Sequence, residues 1–163
     1  MDDILNQLLQ QEQELQFTIF DEDVAWNLGR QLVELARSRN LPVTVDIMRG
    51  THQLFHASLR GTSPDNDEWV KRKVRLAYRF GHSSFYMGQL LKSKGKTIEQ
   101  SYLVPESEYA PHGGCFPVIV KDAGIIGTVT VSGLPQEEDH ELVVEAIRNY
   151  LAQEQWHGVE SSN

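Results

Sequence analysis

A single cysteine in 163 residues excludes an internal disulfide and a cysteine-rich metal framework. Long apolar runs are missing as well: nothing approaches the roughly 20 residues that span a bilayer, so no membrane partner is expected. Basic residues are the scarcer charge. Fifteen Lys and Arg against 23 Asp and Glu leave a formal charge of -8, which opposes attraction to phosphate backbones and anionic lipid, and no nucleic-acid partner is expected. The stretch MDDILNQLLQQEQELQ carries acids where a secretory or transit peptide carries bases, so a reducing cytoplasm is the expected location. The chain has no Walker loop, dinucleotide fingerprint or nucleophile elbow. His52 and His56 are four apart on a predicted strand, about 13 Å along it, too far for one ion, and no metal site is expected.

What hydrophobic residues there are follow clear periods. Ile4, Leu5, Leu8 and Leu9 predict a helix over 2–14 with one apolar stripe. FTIF at 17–20 reads as a short strand, and the acids at 21–23 suit the N-cap and first turn of a helix buried through Ala25, Leu28, Leu32, Leu35 and Ala36. Val43, Val45 and Ile47 alternate with Thr44, Asp46 and Met48, and 53–59 can return as their antiparallel partner. Helices are predicted over 67–80 and 83–93. Residues 94–116 read as irregular, longer than the 12 to 15 or so residues usual for a structureless connection without a function. FPVIV, KDAG and IIGTVTVSGL form the clearest hairpin, and Pro135 opens a last helix buried through Leu142, Val143, Ala146, Ile147, Tyr150 and Leu151. The pattern predicts one domain over 1–154 and a frayed tail over 155–163.

Two features point to chemistry. On the helix over 67–80, Trp69, Val70, Val74, Leu76, Ala77, Tyr78 and Phe80 share one broad arc with Lys73, whereas Lys71, Arg72, Arg75 and Arg79 face the solvated side. A buried ammonium needs a carboxylate, a ligand anion or a wet pocket. Asp46 and Asp139 are the candidate structural partners. In HGGCFP, Gly113 and Gly114 permit close backbone approach and an anion-cradling nest, while His112 and Cys115 offer polar contacts. A cysteine there is more often a small buried hydrophobe. Lys73, His112, Gly113, Gly114 and Cys115 are therefore expected to converge on one ligand pocket near the VSG strand end, with no catalytic residue assigned.

HGGCFPV, then IIGTVTVSGLPQEEDHELVVEAI, together with Lys73 on the third long helix, resembles the haem-degrading domain family, also called haem-binding-protein-S-like or glycolate-operon-G-like. YAPHGGCFPV and SGLPQEEDH are similar to its branch known as uncharacterised protein family 0303. The resemblance implies an α+β fold: a mainly antiparallel sheet of about five strands with helices on its faces, α-β-α layered and profilin-like. It implies homo-oligomers, dimers or rings of dimers, and a small-molecule ligand, haem or a small organic anion. Haem as a cofactor enters through the resemblance alone. Cys115 precedes Phe116 rather than the proline of a Cys-Pro haem motif, and there is no Cys-x-x-Cys-His, so His112, Tyr102, Tyr109 and Cys115 are axial-ligand candidates by residue type only. Two alternatives stand beside ligand binding: an enzyme acting on haem or a small metabolite in the same pocket, and an oligomeric interaction scaffold whose apparent pocket is filled by side chains.

Overall fold

The computed structural model describes the backbone of residues 2–161 and the side chains of 3–154. Six helices and five strands follow in the order α1 (Asp2–Glu14), β1 (Gln16–Phe17), α2 (Glu22–Ser38), β2 (Thr44–Arg49), β3 (His52–Ser58), α3 (Pro64–Phe80), α4 (Ser84–Lys94), α5 (Ile98–Tyr102), β4 (Cys115–Val120), β5 (Gly124–Ser132) and α6 (Gln136–Ser161), counted among the described residues. The expected tail over 155–163 falls where side chains, and at 162–163 the backbone, lie outside the described residues. The fold is α+β, with one open sheet in the order β1-β4-β5-β2-β3.

That sheet is mixed. The pairs β2–β3, β2–β5 and β4–β5 are antiparallel, but β1 runs parallel to β4. The strand expected over 17–20 shrinks to Gln16–Phe17 because Asp21 takes up its capping role, accepting from the Val24 amide at 2.9 Å, and draws the chain into α2. Phe20 leaves the sheet but stays in the core, edge-on to Phe17 at 5.3 Å. Within the segment expected to be irregular, Thr97 and Gln100 form a capping box and start the five-residue α5. Another reciprocal cap, Asn66 accepting from the Ser63 amide at 2.9 Å, begins α3 at Pro64 rather than 67.

Strand alternation gives the sheet two unlike faces. Val43, Val45, Ile47, Phe116, Val118, Val129 and Val131 pack with Leu28 and Leu32 of α2 and Val143 and Ile147 of α6 in the main core. Opposite them, Thr44, Asp46, Cys115, Thr128, Thr130 and Ser132 are also buried, and α3 packs over that side of β2, β4 and β5. The Thr128 and Thr130 hydroxyls have no hydrogen-bond partner among the described residues. Along its flank α3 joins Leu76 to Met87, Leu91, Ile98 and Val104, a second apolar cluster with α4 and α5.

α1 packs against α4 and is tied to α6 through His140, whose Nε2 lies 2.8 Å from Gln11 Oε1. The ring packs between Phe85 and Phe116, at 5.0 and 6.2 Å, and burial pushes its pKa down to about 4. The folded state thus holds a neutral imidazole that the unfolded chain protonates below about pH 6.5. Its contribution is complete above that pH and is lost as the pH falls to about 4, an effect of about 3 kcal/mol at most. Urea unfolding between pH 7 and 4.5 is expected to show a steeper stability loss in the native chain than in His140→Gln; equal slopes would remove His140 as the cause.

Candidate functional site

Lys73 occupies the sheet-facing side of α3, and Asp139 lies in the acidic first turn of α6. The two meet beyond the end of β5. Lys73 Nζ donates to Asp139 Oδ2 and to the Val131 carbonyl, each at 3.2 Å. The Asp139 carboxylate also accepts from the Gly133 amide at 3.3 Å and the Leu134 amide at 2.9 Å. Burial lowers the Lys73 pKa and raises that of Asp139, while their mutual attraction opposes both shifts. Asp46, the other carboxylate considered, is engaged elsewhere: its Oδ1 lies 2.7 Å from Gln53 Nε2 and 2.9 Å from His56 Nδ1.

Above the ion pair opens a cleft of about 320 Å³. Its walls include Asn66, Trp69, Ser132 and Gln136 as well as Lys73, Asp139 and His112. His112 stands at the edge, partly exposed, with its ring edge-to-face on Trp69 at 5.7 Å and its Nε2 3.6 Å from Glu106 Oε1. The Asn66 side-chain amide reaches the Ser132 hydroxyl at 3.4 Å across the opening between α3 and β5.

Of the residues expected from the sequence, Lys73 and His112 both line this cleft. The glycines serve a different purpose from the expected nest. The Gly113 amide donates to Gln136 Oε1 at 3.0 Å and is spent on anchoring α6. Gly114 has φ +137, and a Cβ there would strike the Val131 carbonyl and come within 2.8 Å of Lys73 Nζ. Its lack of a side chain lets the start of β4 press against the ion pair. A Cβ on Gly88 would likewise collide with the Pro111 carbonyl, so α4 can back the loop that presents His112.

Cys115 is not part of the cleft wall. It has no exposed surface, its amide donates to Ser84 Oγ at 3.0 Å, and burial pushes its thiol up to about 12. The group is a neutral, inaccessible thiol, unsuited to ligation or nucleophilic attack. Tyr102 and Tyr109 pack on the α3–α4–α5 cluster instead. Asn66, Trp69, Ser132 and Gln136 were not singled out from the sequence. The available signals were the four-residue spacing of Trp69 and Lys73 and the Ser-x-x-Asn cap at 63–66.

Replacing Lys73 by Met leaves a buried carboxylate without its cation, an expected loss of about 3–5 kcal/mol. The pair Lys73→Met/Asp139→Asn removes both charges and is expected to recover most of it in urea unfolding. A double variant no more stable than the single one would show that the stranded charge is not what destabilises.

Residues 20–148 match the family model described as haem degrading protein HbpS-like. A UPF0303 protein of Streptomyces coelicolor is 50% identical over 147 residues, 90% of this chain and 93% of that protein. The crystal structure of the Ybr137w protein superposes with a TM-score of 0.86 at 34% identity, covering 93% of this chain and 89% of that one. The PduOC:heme complex shares the fold, with a TM-score of 0.66 at 21% identity over 79% of this chain and 93% of its own. The chain belongs to the haem-degrading, HbpS-like family, among its UPF0303 proteins.

Proposed function

We propose that this protein binds a small organic ligand, with the cleft between α3 and the β5–α6 turn taking the ligand's carboxylate. The observation that carries the reading is the hydrogen-bonding state of Lys73. An ammonium has three donors, and Lys73 spends two of them on Val131 and Asp139 at the floor of a cleft. A buried ion pair offers no stability advantage over well-packed apolar residues, so its retention beneath an opening supports a binding role. The carboxylate of Asp139 is matched by Lys73 and saturated by backbone amides. An incoming acid therefore meets no net charge; it gains the third Lys73 donor together with the Asn66 amide and the Ser132 hydroxyl.

Two sources can supply that carboxylate, a small acid or a propionate of haem. Family membership and the fold shared with the PduOC:heme complex support testing haem first. The residues here fit only its propionate edge. A cleft of about 320 Å³ is at the low end of ligand sites, which run from roughly 300 to 1,000 Å³, and only about half of its wall is apolar, so the macrocycle is not enclosed. His112 is the imidazole at the edge, and the Cys115 thiol is out of reach. The proposal takes the protein as a cytoplasmic homo-oligomer over a single domain spanning 1–154. The open edge strand β3 and the exposed Trp26 and Ile19 support assembly.

The test is a titration of the full chain with haemin, followed at the Soret band, and with short monocarboxylates, followed by calorimetry. Saturable binding of at least one class is expected, falling at least tenfold in Lys73→Met/Asp139→Asn. A Soret shift lost in His112→Ala assigns the porphyrin source. Binding that is absent, or equal in the double variant, overturns the cleft as the site.

A further inference from the structure

We infer that the Lys73 cleft is one compartment of a two-compartment site, and that its ligand carries a second carboxylate held by Arg72. This rests on the acid-binding reading of that cleft. A second cleft, of about 360 Å³, lies alongside, bounded by Trp69, Arg72, Glu106, Ser107 and His112. Trp69 and His112 belong to both clefts and form the partition between them. Helical spacing explains the arrangement: Lys73, four residues after Trp69, falls on the sheet side, while Arg72, three after it, falls on the other.

Arg72 is built as an anchor. Its guanidinium carbon sits 4.1 Å over the Trp69 ring, which fixes the plane of the fork. Within the described residues its Nε–H donates to the Glu68 carbonyl at 3.4 Å, and the two terminal amino groups remain for a ligand. The opposing charge in this compartment is Glu106, whose side chain is 58% exposed and whose carboxylate faces His112. Water weakens its repulsion and the attraction to Arg72 alike, and what favours a ligand carboxylate at Arg72 is the two-pronged, charge-assisted geometry of the fork. The partition is movable: the His112 ring packs on Trp69 and lies 3.6 Å from Glu106, beyond a strong hydrogen bond. Rotation of that ring joins the compartments, and the ligand class that uses both is an acid with a carboxylate at each end.

Calorimetry on the full chain with butyrate, pentanoate and hexanoate against succinate, glutarate and adipate tests this. At one chain length the diacid is expected to bind at least tenfold more tightly than the monoacid of equal carbon number. Arg72→Met, with an unchanged thermal midpoint, is expected to bring the diacid down to the level of the monoacid, and Arg72→Lys to give an intermediate value. His112→Ala is expected to shift the preference to a longer diacid, and an unchanged preference overturns the partition. Monoacids that bind as well as diacids, or a preference that survives Arg72→Met, overturn the second anchor while leaving the Lys73 cleft intact. Failure of every acid overturns the second anchor, and it overturns the Lys73 cleft as well only where haemin also fails to bind.

Discussion

The buried pair between Lys73 and Asp139 is the constraint around which this end of the molecule is arranged. It joins the middle of α3 to the first turn of α6 and, through the Val131 carbonyl and the Gly133 and Leu134 amides, to the end of β5. An uncompensated charge at either position would be costly, so each element must arrive where the other can meet it. Gly114 follows from the same demand, because the start of β4 passes where any side chain would meet the ammonium. The cleft above the pair is a geometrical result: α3 and the β5–α6 turn are held together at their base, and Asn66 and Ser132 span the opening.

The polar underside of the sheet belongs to the same arrangement. A row of buried Thr, Ser and Asp side chains lies under α3, while the opposite face is aliphatic and aromatic. Asp46 is satisfied by Gln53 and by His56, whose other ring nitrogen lies 3.1 Å from Asp67 near the start of α3. At both margins of α3, buried carboxylates thus meet nitrogen donors, and hydrogen bonding replaces part of the apolar packing that would otherwise hold the helix. That layer gives Lys73 an environment it can tolerate.

Much of the fold could be read from periodicity. The apolar stripes of α2 and α6 and the alternation in β2 and β5 each announce an element whose buried side is the expected one. The errors fall where local chemistry competes with periodicity. Phe17 to Phe20 look like a strand, but the Asp21 cap claims the chain for a helix; Thr97 and Gln100 start a helix inside an apparent loop. The parallel pairing of β1 with β4 joins residues about a hundred positions apart and has no local signature.

Sequence by itself put Lys73 on the apolar arc of its helix, where the ammonium either snorkels outward or needs a partner. It also set residues 112–115 directly before a strand, without choosing between a ligand cradle and a tight strand entry. Which carboxylate pairs with Lys73, and which of those loop residues face a ligand, only the tertiary structure decided. Asp46 and Asp139 were equivalent as sequence; the approach of α6 to β5 selects Asp139, and the hairpin partner His56 occupies Asp46. Likewise the alternation of β4 turns Cys115 under the sheet while His112, still in the loop, reaches the cleft. Distances between residues far apart in the chain carry that information, and no local pattern encodes them.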